Sequence, residues 1–489
     1  MARLRPFLLV PIAAASLSAC AVGPNFHRPQ IMPGDGYGEI ATSPPEASTA
    51  SLKLNAAVRL PHAWWRNFGS AKLDALVEES LQRNPTLAAA RAALRSAKEL
   101  QWAQWGAYLP QVSASVQPSH QYFAHTLASP TQSGKSVYDL NTSQVSVAYV
   151  FDLFGANARA VEAAKAGTDQ ARYELEAARQ TLAANVVLTA VTDAALSQEI
   201  EETKGVIAAQ RRVLASTERL HGLGQASDAD LAAAAAAMAQ AEAALPPLEK
   251  QYRINRDLLA ALMGHTPAEA PEVRFELSDF SLPAELPLSL PARLVRQRPD
   301  VRLAEAQLHY ASAEVGVAMA ARLPNISLDA AAGAAALKLT PDFNSATSFW
   351  SVAGTVTQPI FSGGSLWRRQ RAAEASLDQA KNQYRAAVIA AFQSTADALH
   401  AVWTDDRAAQ SAAASNAATE RAYAIAQRQL GLGDLSETSV WASEQAARQA
   451  RIALIQARAN RLSDVVALYQ ALGGGWTGDD GDKSPKPKS

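Results

Sequence analysis

The residues that could take part in catalysis are few and scattered. The chain has eight histidines, none of which forms an HExxH motif or a cluster with cysteine. The only tight pair, His120 and His125, lies where a predicted strand gives way to a loop, which is a weak indication of a metal site. The glycine-rich stretch from Phe361 to Ser365 lacks the Gly-Lys-Ser/Thr of a phosphate loop, so we predict a turn between a strand and a helix. The pattern favours neither an enzyme nor a metal or cofactor site.

Cys20 is the one side chain with a predicted chemical modification, and it is the only cysteine in 489 residues. Two arginines and an apolar run from Pro6 to Leu17, too short to cross a bilayer as a helix, are typical of a signal peptide. The following Leu-Ser-Ala-Cys resembles a bacterial lipoprotein processing site, which implies removal of residues 1–19 and acylation of Cys20. The alternative is a signal peptide followed by an incidental cysteine. Ala21, in place of Asp, resembles the sorting signal that favours the outer membrane, so outer-membrane lipid is the predicted anchoring partner.

The rest of the chain is organised by an internal duplication. Within the segment from Asn84 to Ala114, Pro85 and Pro110 bracket an Ala-rich run, and Pro299 and Pro324 recur 214 positions later, since 299 − 85 and 324 − 110 give the same value. The first proline of each copy suits a helix start, where its missing N–H is not needed, and the second stops the helix. Apolar and polar residues then alternate, so each copy predicts a helix that leads into a strand.

Two strands are predicted in each half. Apolar side chains from Val145 to Phe151 alternate with Gln144, Ser146 and Ala148, and those from Trp350 to Val356 alternate with Ser and Thr. Runs of about ten residues are long enough for a tilted strand to cross a bilayer. An ordinary hairpin in water is the alternative. Because an open sheet edge in lipid leaves backbone groups unpaired, spanning strands would require two, three or more chains to share one barrel.

Long helices follow the strands. From Gly155 to His221 the chain has no proline and carries apolar residues at heptad spacing, which predicts a helix on the order of 90 to 100 Å long. A glycine-rich turn then ends this helix, and a serine can cap a returning one. The second half repeats the pattern after a helix from about Ser365. The two turns consist of Gly222, Leu223, Gly224 and Ser227 in the first half, and Gly431, Leu432, Gly433 and Ser436 in the second.

Composition and the duplication divide the chain into six segments. They are a lipoprotein signal peptide at 1–19, a lipid-anchored extended tether at 20–62, a first repeat at 63–264, a Pro-rich connector at 265–291, a second repeat at 292–474 and a disordered tail at 475–489. Aromatic residues from Trp64 to Phe68 are expected to pack a short helix against the main body. The balance of 45 Lys and Arg against 46 Asp and Glu gives no indication of nucleic-acid binding.

Several of these motifs together resemble the lipoprotein branch of the TolC-like outer-membrane efflux factors. They are Cys20, Val22 to Phe26, Trp64-Trp65, Arg298-Pro299-Asp300-Val301, Leu323-Pro324, Gln358 to Phe361 and both glycine turns. The resemblance implies an α+β membrane protein that forms a homotrimer. Each protomer would contribute four transmembrane strands to a shared twelve-stranded barrel, continued by a long α-helical barrel in the periplasm. The implied partners are a periplasmic adaptor, or membrane-fusion, protein and an inner-membrane pump.

The glycine turns are the predicted adaptor-binding tips, because they lie at the helix ends farthest from the strands and because the resemblance points to the same role. Tight helix connections without a partner are the alternative. In relatives an acidic residue often follows the second tip glycine by nine positions and narrows the closed end, whereas Ala442 occupies that position here. Asp434, Glu437 and Ser439 are the nearest candidates for a gate.

Two main hypotheses result. The first is a passive outer-membrane export duct of a tripartite efflux or secretion system. The second is a lipid-anchored periplasmic coiled-coil scaffold that conducts nothing, which would leave the strands unexplained. A periplasmic hydrolase is a weaker third, because no catalytic constellation is found.

Overall fold

The computed structural model describes residues 21–29, 53–55, 60–122, 124, 136–269, 272–283, 285–287, 297–337 and 345–476. The helices are α1 (Ala71–Arg83), α2 (Pro85–Trp105), α3 (Ala156–Gly222), α4 (Asp228–Leu262), α5 (Pro299–Ala320), α6 (Ser365–Leu432) and α7 (Glu437–Ala471). The strands are β1 (Lys53–Asn55), β2 (Gln111–Tyr122), β3 (Val137–Phe151), β4 (Glu285–Pro287), β5 (Asn325–Ala336) and β6 (Ser348–Thr357). None of the helices in these ranges is both long and apolar enough to cross a membrane.

The predicted duplication is visible in the order of the elements. The succession α2, β2, β3, α3, α4 is repeated as α5, β5, β6, α6, α7, and Pro85 and Pro299 are the first residues of α2 and α5. The paired long helices have 67 and 68 residues, and the returning helices have 35 each. The chain therefore builds one supersecondary plan twice.

Four strands form one antiparallel sheet in the order β2-β3-β5-β6. Two hairpins, one from each repeat, join through β3 and β5, where Phe151 lies opposite Ile326 and Val147 opposite Ala330. Hydrogen bonding between strands of different repeats thus makes one sheet from both halves.

The described residues fall into two compact units, and each repeat contributes to both. The first unit takes in residues within 21–28, 94–171 and 304–384, and it contains the four-stranded sheet. The second takes in residues within 29–93, 172–303 and 385–476, and it contains both glycine turns. The boundary falls inside α2, α3, α5 and α6, so the units do not coincide with the sequence repeats.

Aromatic and small apolar side chains make the core of the second unit. Trp64 and Phe68 are fully buried, and both rings pack edge-on against Tyr469 of α7, with centroids 5.6 and 6.2 Å apart. Ala184 and Ala190 of α3 are also fully buried, which allows close helix approach. The packing role expected for the aromatics at 64–68 is confirmed.

The segment predicted as an extended tether is fastened in two places. Arg159 of α3 donates hydrogen bonds to the Val22 carbonyl at 3.1 Å and to Asn25 Oδ1 at 2.7 Å, and the Phe26 ring stacks on His309 of α5 at 4.2 Å. Further on, β1 pairs in parallel with β4, which lies in the Pro-rich connector. These contacts join residues more than one hundred positions apart, so no local sequence pattern could predict them.

The first two residues of the predicted tail at 475–489 belong to the described part of the chain. Trp476 is one of them. Its ring packs edge-on against Tyr173, with centroids 5.6 Å apart, and its backbone N–H donates to the Gly473 carbonyl at 3.1 Å. An edge-on pair of aromatic rings stabilises its segment even in a Gly-rich sequence. The remainder of the predicted tail, the signal peptide and Cys20 lie outside the described residues.

Candidate channel wall and helix tips

The four-stranded sheet has one apolar and one polar face. Residues opposite each other in register share a face, so Val112, Val147, Ala330 and Val352 form one row, and Ala114, Val145, Ala332 and Trp350 form the next. The apolar face is exposed over all four strands, with Val116 at 74% and Trp350 at 78% of their full accessibility. An apolar surface of this extent marks contact with lipid or with another protein.

The opposite face carries hydroxyl and amide groups. The Ser113 and Ser146 hydroxyls lie 3.1 Å apart, and Gln117 lies opposite Thr142. In β6, Ser351 and Thr355 belong to this face because they lie opposite Ala331 and Ser327. The predicted alternation of the strands is therefore confirmed and extends across both repeats.

His120 lies on the apolar face near the loop end of β2, within hydrogen-bond distance of an acidic side chain. Its Nδ1 lies 2.7 Å from the Asp139 carboxylate, in the neighbouring strand. His125, the other member of the histidine pair, lies outside the described residues. Within the ranges that the structure describes, no three His, Cys, Asp or Glu side chains group closely enough to hold a metal ion.

Both glycine turns close their helices with the same hydrogen-bond pattern. In the first, the Gln225 N–H donates to the Leu220 carbonyl and the Gly224 N–H to the His221 carbonyl, both at 2.8 Å. In the second, Asp434 donates to Gln429 at 2.9 Å and Gly433 to Leu430 at 3.0 Å. This is the Schellman arrangement, which needs a left-handed residue, and the φ angles of Gly224 and Gly433 are 71° and 83°.

The leucine of each turn is directed to solvent. Leu223 is 68% and Leu432 is 77% exposed. Each precedes the left-handed glycine and follows the helical Gly222 or Gly431, at which an added Cβ would meet no atom within 4 Å. The two turns therefore present a similar backbone with one apolar side chain each.

The serines cap the returning helices as predicted. Ser227 Oγ accepts a hydrogen bond from the Asp230 N–H at 3.2 Å, and the Asp230 carboxylate accepts one from the Ser227 N–H at 2.9 Å. The Ser227 hydroxyl also donates to the Asp230 carboxylate at 2.7 Å, and this bond, together with that from the Ser227 N–H, lowers the pKa of Asp230. Ser436 Oγ accepts from the Ser439 N–H at 3.3 Å. Asp230 thus serves the start of α4.

The three gate candidates lie within the second turn and its cap. Asp434 supplies the last hydrogen bond of the Schellman turn, Glu437 is the first residue of α7, and both side chains are exposed. Ser439 is half-buried, and its Oγ lies 2.9 Å from Ser436 Oγ. Ala442 is exposed one turn further along α7.

A network of charged side chains that sequence reasoning missed joins three helices behind the tips. Glu202 of α3 accepts from Arg448 of α7 at 3.0 Å and from Arg451 at 2.9 Å, and Arg451 also pairs with Glu420 of α6. Hydrogen bonding to Glu202 is the main cause that raises the pKa of Arg451. Arg448 lies directly over Gly205, where a Cβ would clash with its guanidinium. The spacing of Glu444 and Arg448 is the only part of this network that a helical sequence pattern indicates.

Comparisons with known proteins agree with this architecture. The sequence profile of the family described as "Outer membrane efflux protein" matches residues 76–265 and 290–474. The chain is 30% identical over 447 residues to the pyoverdine export outer membrane protein OpmQ of Pseudomonas putida, covering 89% of this chain and 93% of that protein. It is 29% identical over 488 residues to the toluene efflux pump outer membrane protein TtgC of Pseudomonas putida, covering 96% of each.

Solved structures show the same fold. The outer-membrane channel OprN superposes with a TM-score of 0.81 at 26% identity, over 94% of this chain and 100% of that one. The CmeC outer membrane channel of Campylobacter jejuni superposes with a TM-score of 0.82 at 22% identity, over 94% of this chain and 95% of that one. Since the profile matches well over half of the residues and the relatives align over nearly their whole lengths, the chain belongs to the TolC-like outer membrane efflux protein family and is an efflux channel component of the outer membrane.

Proposed function

We propose that three copies of this chain form a passive export duct through the outer membrane. Each copy contributes β2, β3, β5 and β6 to a shared twelve-stranded barrel, and the long helices continue the wall into the periplasm. The observation that carries the proposal is the sheet, whose apolar face spans both repeats and whose reverse face is polar. Such a sheet separates lipid from a water-filled lumen.

The edges of the sheet support a shared barrel. Among the described strands, β2 and β6 each have a neighbour on one side only. An edge left open in lipid would cost several kcal/mol for each unpaired backbone group. Closure between copies removes both edges, and three copies supply twelve strands. The number three rests on membership of the family.

A passive duct also fits the variety of the relatives. Proteins at 30% and 29% identity are named for the export of pyoverdine and for the efflux of toluene, which are chemically unlike. The inner-membrane pump and the periplasmic adaptor would then select the cargo. The chain would be no enzyme, and the pump would supply the driving force.

Acylation of Cys20 would place a lipid at the foot of the barrel. The adjoining residue, Ala21, contacts Gly155, which lies between the end of β3 and the start of α3. The Val22 N–H donates to the Phe154 carbonyl at 3.1 Å, so Ala21 and Val22 lie beside the end of β3. Cys20→Ala should abolish acylation while the strands still hold the protein in the membrane. Release of the variant as a soluble protein would contradict the spanning strands.

The two glycine turns are the proposed docking sites for the adaptor, and Asp434, Glu437 and Ser439 the proposed gate. Leu223 and Leu432 are exposed in matching positions, as paired contact points would be. A photo-reactive amino acid at Ser227 or Ser436 should capture the pump's adaptor in cells. The same probe at Gln121, at the opposite end of β2 from α2, should not. Capture from Gln121 alone would reverse the assigned topology.

A test of the proposed duct must distinguish it from the alternative, a coiled-coil scaffold that conducts nothing. A barrel closed between chains should withstand mild detergent, migrate as a trimer on an unheated gel and fall to a monomer on boiling. Deletion of the gene should also sensitise cells to the pump's substrates, and the wild-type gene should restore export. A monomer in mild detergent, together with unchanged export, would favour the coiled-coil scaffold.

A further inference from the structure

The internal duplication gives the hydrogen-bond register between neighbouring copies. In the first hairpin Gln111 lies opposite Ala148, and in the second Asn325 lies opposite Thr357. Strand β5 therefore follows β2 by 214 positions, and β6 follows β3 by 209. The tip glycines Gly222 and Gly431 are also 209 apart. The offset between the repeats falls from 214 to 209 within the hairpin, so the second hairpin has five fewer residues between its strands than the first. On each side of this loop, every residue of the first repeat has an equivalent at a constant offset in the second.

Within one chain, the first repeat meets the second through β3 and β5. In a closed ring of repeats, the second repeat must meet the first repeat of the next copy through β6 and β2. Equivalent junctions use equivalent residues, so the register of β3 with β5 can be transferred to β6 with β2. The transfer keeps the lipid-facing side of β6 aligned with the lipid-facing side of β2, and the two polar faces aligned with each other.

We propose that β6 pairs with β2 of the partner subunit, with Val356 opposite Val116 of the partner subunit. This proposal rests on the proposed trimer. On the apolar face, the further pairs with the partner subunit are Ile360 with Val112, Val352 with His120 and Trp350 with Tyr122. On the polar face, Thr355 lies opposite Gln117 of the partner subunit, because their equivalents Ser146 and Ala331 are opposite each other. One aromatic pair thereby joins two rings that are exposed in the single chain.

The lengths of the strands support this register. Strand β3 runs to Phe151 because Tyr149, Val150 and Phe151 pair with β5 beyond the end of β2. Their equivalents are Gln358, Pro359 and Ile360. Strand β6 ends at Thr357, and Ile360 is 89% exposed. Strand β6 has 10 residues and β3 has 15, and three of the missing positions are those at this end, whose partners would come from the next copy.

Disulfide formation tests the register. We would combine Thr355→Cys with Gln117→Cys and oxidise the protein in membranes. Within one chain these positions are separated by two intervening strands, about 14 Å at the usual spacing, so only an intermolecular disulfide is possible. The matched controls combine Thr355→Cys with Ser115→Cys or with Ser119→Cys, which lie on the same face two residues away. Their Cα atoms would be about 7–8 Å apart, beyond good disulfide geometry.

The expected result is a ladder of covalent dimers and trimers, roughly fivefold stronger for Gln117→Cys than for either control. Val356→Cys with Val116→Cys provides a second pair on the other face. The single variants and the wild-type chain control for disulfides through Cys20. Stronger linkage in a control pair would overturn the register. Absence of linkage in both predicted pairs, in protein that has a trimer's mass, would overturn the register and leave the trimer intact, whereas a monomer's mass would overturn both.

Discussion

Adjacent residues of one strand lie on opposite faces of the sheet, so substitutions at two neighbouring positions can compare the surroundings of the two faces. Val147 lies in a row of apolar residues across the sheet, and Ser146 lies on the other face beside Ser113. The period of two made this assignment possible from the sequence, because it depends on local geometry alone. The same reasoning could not find Arg159, whose partners lie in the segment that follows Cys20.

The first prediction compares these neighbours. Val147→Arg should cost about 2–4 kcal/mol if the residue faces the middle of the bilayer, whereas Ser146→Arg should cost little in a water-filled lumen. The fraction of each variant that assembles as a heat-modifiable trimer measures the difference. Equal assembly of the two variants would indicate that both faces are in water.

At the scale of elements, local signals predicted the boundaries well. Pro85 and Pro299 begin helices, Ser227 and Ser436 cap them, and Gly224 and Gly433 end them. The pairing of β1 with β4 and the network around Glu202 depend on contacts between distant segments, so they could not be read from patterns.

The second tip offers a matched pair of glycines for the next prediction. Gly433→Ala should destabilise the turn by about 1 kcal/mol, because a Cβ is strained at positive φ. Gly431→Ala should stabilise α6 by about 0.5–1 kcal/mol, because this glycine is helical and its Cβ would meet open space. Apparent melting temperatures, measured at one scan rate, should be highest for Gly431→Ala, intermediate for the wild type and lowest for Gly433→Ala. The reverse order would refute the assignment of the turn.

The contact between α6 and α7 includes a carboxyl group that makes the free energy of unfolding depend on pH. Burial of Asp464, together with a hydrogen bond and repulsion from Asp405, raises the pKa of Asp464 to about 7. The folded state then binds a proton that the unfolded state releases above its ordinary pKa of 3.8. The free energy of unfolding should therefore fall as pH rises from about 4 to about 7. Asp464→Asn should flatten this dependence, which thermal unfolding across the pH range can measure; an unchanged slope would contradict it.

At the scale of the whole molecule, the duplication is what made the architecture predictable. An ungapped repeat at 214 positions predicted a hairpin and a long helix in each half, and the element order confirms that plan. It did not predict that the hairpins join through β3 and β5, nor that the compact units would each combine both repeats. Those features depend on which hydrophobic and hydrogen-bonding surfaces meet after the elements have formed.

The central claim is that three chains close one barrel across the bilayer. A cryo-electron microscopy reconstruction of the protein in a lipid nanodisc measures this directly. We predict threefold symmetry, twelve strands within the lipid with Val147 facing outward and Ser146 facing the lumen, and helices wholly outside the lipid. A particle with four unshared strands, or with the sheet lying outside the lipid, would contradict the duct.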